Sequence, residues 1–183
     1  MKPAGKQKAY VHAQSEIEET VNTVALANGF AMVSRNPNYG KGSSIAWSRQ
    51  LQWRTDELRI LFMWQGRPGY RGVYADVGTR IILPERSCAV DGYPAAWIAR
   101  GSSHELRIKE SDAHAPAAVL ETLRSDIIAA IAWLGRTYST PASAAARLMS
   151  EDRNGVGAGT PLHKAVLAHL ERIAVLNQDD REA

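Results

Sequence analysis

The sequence has 183 residues, of which 45% are hydrophobic and 22% are charged, and its formal net charge is +3. This length and composition are typical of one globular domain and exclude an intrinsically disordered chain. No apolar run approaches the roughly 20 residues that span a bilayer, and no apolar secretory core follows the first residues, so we expect a soluble, cytoplasmic protein without a membrane partner.

The N-terminal part of the sequence predicts a flexible arm followed by a helix. Residues 1–14 show no usable periodicity and are assigned to the arm. Ser15 and Glu18 match a capping box, and apolar residues then recur at helical spacing. These signals predict a helix from Glu16 to Ala27, with Gly29 in a left-handed cap after its end.

Alternating apolar residues predict an antiparallel meander in the middle of the sequence. A short strand is expected at 30–34, and a second strand begins at Ile45 and alternates through Trp53 and Arg54. The polar residues 55–57 are interpreted as a turn before a strand at 58–64. A further strand follows at 73–81. Residues 95–99 and 106–108 could each add a short strand, which gives a meander of three to five strands.

The last part of the sequence predicts helices that are separated by a glycine-rich joint. Apolar residues mark one face of a long helix after Pro116, namely Leu120, Leu123, Ile127, Ile131 and Leu134. Pro141 opens a short helix through Met149, and Thr160 caps a final helix at Pro161.

Strands bracketed by helices predict an α+β fold, with an N-terminal helix, an antiparallel meander and C-terminal helices packed on one face. The predicted organisation is an arm at 1–14, the α+β domain at 15–150, the joint at 151–160, and a C-terminal helix at 161–183 that packs on the same domain.

The sequence contains no recognisable catalytic or metal-binding motif. The five histidines form no HExxH pattern and no pair at i,i+4 spacing, so no metal ligand is assigned. Cys88 is the only cysteine, and it is interpreted either as a nucleophile activated by nearby cations or as a partly buried small hydrophobe. Asp56 with Glu57, or Asp76 with Glu85, is not assigned as an acid–base pair, because neighbouring positions fix neither a distance nor a pKa. No catalytic residue and no cofactor is predicted.

Arginine and aromatic residues are concentrated in the predicted meander. Residues 31–110 contain 12 lysines and arginines, 10 of them arginine, and only 7 acidic residues. The rings could stack on bases, anchor a protein interface, or face the core as the alternation of Trp47, Trp53 and Trp64 predicts. We place the partner-binding site on the polar face of the sheet and on the loop Gly66–Gly72. The residues assigned to it are Arg54, Arg59, Arg67, Tyr70 and Arg71.

The order of certain residues along the chain resembles that in a broad set of uncharacterised bacterial proteins, which are classed as a domain of unknown function. Some similar small α+β proteins occur beside toxin genes as immunity proteins. The residues that carry this resemblance are Leu26, Gly29, Phe30, Val77, Gly78, Trp97 and Ala132-Trp133-Leu134. The resemblance implies a bacterial protein that acts by binding another protein, as an immunity or defence-associated factor. A basic nucleic-acid-binding accessory protein is the alternative, and an enzyme of unrecognised type that uses Cys88 or the loop carboxylates is the third hypothesis.

Overall fold

The computed structural model of the chain describes residues 4–36, 43–64, 69–102, 106–150 and 159–182. Its antiparallel sheet, with helices before and after it, confirms the predicted α+β class. The strands are β1 (Ala31–Asn36), β2 (Ser43–Gln50), β3 (Arg54–Trp64), β4 (Tyr70–Ile82), β5 (Ser87–Pro94) and β6 (Leu106–Lys109). The helices are α1 (Ala4–Ala27), α2 (Ala95–Arg100), α3 (Ala117–Thr137), α4 (Pro141–Met149) and α5 (Pro161–Glu182). Most of the predicted glycine-rich joint, residues 151–158, lies outside the described residues.

The six described strands form one sheet in which β1 to β5 lie in chain order. All neighbouring strands are antiparallel, so the first five strands form the predicted meander. Both β5 and β6 pair with β4 but at different places: β5 pairs with residues 76–82 and β6 with residues 70–73. The short helix α2 follows β5 directly and separates these two strands along the chain.

The sheet has one face that packs into the core, which we call the covered face. On β3 and β4 this face includes Leu58, Ile60, Phe62, Val77 and Ile81, each at most 2% exposed. These side chains belong to the same cluster as buried residues of α1, α3, α4 and α5, for example Ile17, Ile127, Leu148 and Leu170. Burial of each such side chain stabilises the fold by about 1.5–3 kcal/mol.

The alternate positions of the same strands form the second face, which we call the open face. Its residues on β2, β3 and β4 are half-buried or exposed, except Gly72, which is buried opposite Met63. The half-buried or exposed residues are Ser44, Ala46, Ser48, Gln50, Thr55, Glu57, Arg59, Leu61, Met63, Tyr70, Tyr74, Asp76, Gly78, Arg80 and Ile82. The continuous register between β3 and β4 keeps the two sets of side chains on opposite faces.

Helix α1 begins earlier than the sequence predicts. From Ala4 onward the segment assigned to an arm is helical, and Ser15 lies within the helix. The Ser15 Oγ donates to the carbonyl oxygen of Val11 at 2.9 Å, so the predicted capping box is wrong. The C-terminal end of α1 agrees with the prediction, because Gly29 has a φ of +77° directly after the last turn.

Two further predictions about local structure are wrong. The turn between β2 and β3 lies at residues 51–53, where the Leu51 N–H donates to the Arg54 carbonyl oxygen at 2.8 Å, and residues 55–57 belong to β3. Residues 95–99 form helix α2 instead of a strand, and Gly101 closes this helix with a φ of +67°. The predicted strand at 106–108 is confirmed as β6.

Candidate functional site

A groove of about 460 Å³ lies on the open face where β3, β4 and β5 run side by side. Its floor includes Gly78 and Gly92, which lie opposite each other in the pairing of β4 with β5. A Cβ atom on Gly78 would lie 2.9 Å from the carbonyl oxygen of Asp91, so the close approach of these strands requires glycine here. The two glycines leave backbone accessible at the centre of the sheet.

Four charged side chains surround this groove. Glu57 and Arg59 come from β3, and Asp76 and Arg80 come from β4. Arg80 Nε lies 3.7 Å from Glu57 Oε1, and Arg59 pairs with Asp76 in the register of the two strands. Burial raises the pKa of Asp76, and the nearby Arg59 guanidinium partly opposes this shift. The groove therefore offers both cations and hydrogen-bond acceptors to a polar ligand.

Apolar side chains extend the open face beyond the groove. Leu61 of β3 lies opposite Tyr74 of β4, and Met63 near the end of β3 is 45% exposed. Tyr70, at the start of β4 and four residues before Tyr74, is half-buried on the same face. Tyrosine, methionine and arginine, which occur together on this face, are enriched in protein interfaces.

The covered face contains a buried ionic cluster around Asp56, which is 0% exposed. Its Oδ2 accepts from Arg49 Nη2 at 2.6 Å, and its Oδ1 accepts from Arg54 Nε at 2.9 Å and from Thr79 Oγ1 at 3.1 Å. Arg49 also donates to the carbonyl oxygen of Asn28 after α1. These bonds satisfy the buried carboxylate and join three strands to the end of α1.

A second buried cluster joins the covered face to the C-terminal helices. Asp91 Oδ2 accepts from Tyr138 Oη at 2.6 Å and from Arg147 Nε at 2.9 Å. Burial, together with the adjacent Asp91 carboxylate, raises the pKa of Tyr138. Arg147 Nη2 also donates to Tyr93 Oη at 2.7 Å. Since Tyr138 follows α3 and Arg147 belongs to α4, this cluster fixes both helices on β5.

The structure separates the residues that the sequence assigns to partner binding. Arg59 and Tyr70 lie on the open face. Arg54 is 5% exposed and bonded to Asp56, so the prediction that it lies on the solvated face is wrong. Arg71 has the register of the covered face, and its Nε lies 2.8 Å from Glu110 Oε1. Arg67 lies outside the described residues.

Two of the tryptophans and the cysteine pack in or against the core. Trp47 of β2 is fully buried, as the strand alternation predicts, and Trp53, in the turn before β3, packs against the core. The side chain of Trp64 lies outside the described part of the chain. Cys88 is 6% exposed within β5, which confirms the interpretation as a partly buried hydrophobe. Such burial limits the access of a substrate to the thiol.

One cluster of potential metal ligands is present among the described residues, at the surface between α1 and the segment before α3. It consists of His12, Glu16 and His114. Glu16 Oε1 lies 2.7 Å from His114 Nδ1 and 3.5 Å from His12 Nε2, and Glu16 Oε2 accepts from the Ala115 N–H at 2.7 Å. The hydrogen bonds from His114 and Ala115 lower the pKa of Glu16, so this carboxylate is ionised at neutral pH.

Comparison with protein-family models, with curated proteins and with solved structures finds no match to this chain. The resemblance to immunity-associated bacterial proteins therefore stays a prediction. Across the described helices, none combines the length and the apolar character that crossing a membrane requires.

Proposed function

We propose that the chain acts by binding another protein through the open face of its sheet. The observation that carries this proposal is the groove over Gly78 and Gly92, which is bordered by charged side chains of both signs. Next to it, Leu61, Met63 and Tyr74 provide apolar area at the same surface. A partner with complementary charges and an apolar centre fits this combination.

The distribution of the arginines favours a protein partner over a nucleic acid. At least six of the nine described arginines in residues 31–110 form ion pairs: Arg35 with Glu18, Arg49 and Arg54 with Asp56, Arg71 with Glu110, Arg80 with Glu57 and Arg100 with Asp126. Nucleic-acid affinity depends on cations that are available to phosphates. Three of these arginines, Arg49, Arg54 and Arg71, are largely buried and therefore not available to phosphates, which weakens the nucleic-acid alternative.

The bacterial origin of the protein and its role as an immunity or defence-associated factor are part of our proposal. They rest on the resemblance of the sequence alone. Binding is the activity that the open face supports, and it is compatible with such a role, because an immunity protein acts by occupying a surface of its target.

The proposal is tested by affinity capture from a lysate of the source cell with three baits: the wild type, Arg59→Glu and Arg172→Glu. Arg59 borders the groove, whereas Arg172 is an exposed residue of α5 with the same charge change. We expect a protein that is retained by the wild type and by Arg172→Glu and lost with Arg59→Glu. Substitution of a central interface residue weakens the binding free energy by about 2 kcal/mol or more, which corresponds to a roughly 30-fold increase in Kd.

Binding to single- and double-stranded DNA and RNA at about 50 and 200 mM salt separates the two functions, since phosphate contacts weaken steeply across this range. Tight, salt-sensitive binding that Arg59→Glu abolishes would replace our proposal with the nucleic-acid alternative. Equal capture of the same protein by all three baits would exclude the open face as the interface.

A further inference from the structure

We propose that His12, Glu16 and His114 form a binding site for a single Zn²⁺ ion. His12 and Glu16 are four residues apart, so they lie on the same face of α1. His114 precedes α3 and is brought to this face by the packing of α3 against α1. The site uses no residue of the open face and is independent of the proposed interface.

The donor set has the chemistry of a zinc site. Two imidazoles and one carboxylate suit Zn²⁺ better than Mg²⁺ or Ca²⁺, which take oxygen ligands. The arrangement offers three protein ligands and leaves a fourth tetrahedral position for water. A groove of about 460 Å³ borders both Glu16 and His114, and it provides the space for that water.

The distances allow one ion to contact all three side chains. The ligand atoms lie within 4.8 Å of one another. Bond lengths of about 2.0–2.2 Å in a tetrahedral site place the ligand atoms roughly 3.3–3.6 Å apart. The side chains of His12 and His114 are 60% and 72% exposed, so both rings have room to rotate toward these separations.

The third ligand is already oriented by the backbone. Glu16 Oε2 is held by the N–H of Ala115, and its Oε1 is the atom nearest to both imidazoles. A hydrogen bond of this kind to a ligating carboxylate restricts its orientation and supports metal affinity. The bound ion would join residues 98 positions apart in the sequence.

Zinc binding is tested by calorimetric titration of the metal-free, full-length protein without a histidine tag, with ZnCl₂ as the ligand. We expect one ion per chain and a tetrahedral absorption spectrum when Co²⁺ is used instead. His114→Ala and Glu16→Gln should each weaken binding by about 100-fold or more, since even the loss of an outer-shell partner costs 10–100-fold. Glu16→Gln keeps an oxygen for the Ala115 N–H, and His169→Gln on α5 is the control that should bind zinc normally.

A readout that needs no variant accompanies the titration. Zinc should shift the imidazole NMR signals of His12 and His114 in the wild type and leave those of His163 and His169 in place. The proposal is overturned if the wild type binds no zinc, if both ligand variants keep its affinity, or if only the signals of other histidines move. If the three side chains form a hydrogen-bonded cluster and not a metal site, the wild type will bind no zinc.

Discussion

Strand β3 presents arginine and a carboxylate to both faces of the sheet, in two different environments. On the covered face, Arg54 and Asp56 are 5% and 0% exposed and are bonded to each other at 2.9 Å. On the open face, Glu57 is half-buried and Arg59 is exposed at the border of the groove. The same residue types thus stabilise the fold on one face and are accessible to a partner on the other.

The comparison shows that a high arginine content does not by itself identify a binding surface. A buried pair must be fully bonded, because an unpaired charge in the interior is strongly destabilising. An exposed pair contributes about 0–1 kcal/mol to stability and is therefore free to be used in recognition. Substitutions on the two faces should accordingly affect different properties of the protein.

The largest expected effect is on the covered face. Asp56→Ala leaves Arg49 and Arg54 without their shared carboxylate and should lower the free energy of unfolding by about 3–5 kcal/mol, as measured by urea denaturation. Asp56→Asn keeps an acceptor oxygen and should cost less, so it provides a measurable value if the alanine variant does not fold. A loss below 1 kcal/mol in both variants would mean that the cluster is not structurally important.

A smaller effect is expected at Tyr138. Tyr138→Phe removes the hydrogen bond to the Asp91 carboxylate and should cost about 1.5–3 kcal/mol of unfolding free energy at neutral pH. Because burial raises the pKa of Tyr138 in the folded state, the unfolded chain ionises first as the pH rises above about 10. The contribution of Tyr138 to stability is complete below that pH and declines above it.

The pH dependence of Tyr138 is isolated by comparing the two proteins. The difference in unfolding free energy between the wild type and Tyr138→Phe should shrink as the pH rises above 10. In the folded wild type, the tyrosinate absorbance near 295 nm should account for one tyrosine fewer than the chain contains, and the missing absorbance should appear when the protein unfolds. A difference that is constant with pH would contradict the raised pKa.

The smallest effect is expected from a substitution on the open face, and this substitution should raise the free energy of unfolding instead of lowering it. Burial raises the pKa of Asp76 above its unfolded value, so its contribution to stability is present in acid and is lost as the pH rises through the folded-state pKa. Asp76→Asn should therefore be slightly more stable than the wild type at pH 7, and this gain should disappear near pH 3. Urea unfolding at both pH values measures it, and a destabilised variant at pH 7 would show that the pairing with Arg59 outweighs the burial.

The sequence predicts the sheet well where apolar residues alternate and fails where ions are buried. Polar residues at 55–57 are typical of a turn, but Asp56 belongs to a strand because Arg49 and Arg54 neutralise it on the covered face. The positions 54, 56, 58, 60 and 62 share one parity, which was a usable signal for β3. The pairing of Arg49 with Asp56 depends on the register of β2, which the sequence does not determine.

Other misses have identifiable causes as well. Helix α2 is preceded by Pro94 and closed by Gly101, and both signals are visible in the sequence. His12 and Glu16 have i,i+4 spacing, but His114 joins them only through the packing of α3 on α1. The separation of Arg59 from Arg71 follows from the β4 register with β3 and β6. The sequence therefore does not predict the contacts between segments that are far apart along the chain.

The most direct test of the open face as the interface is arginine labelling with phenylglyoxal, followed by peptide mapping in the free protein and in the captured complex. Our account predicts that Arg59 is modified in the free protein and protected in the complex, whereas the buried Arg54 is unmodified in both. Equal modification of Arg59 in the two states would contradict it and would place the partner on another surface.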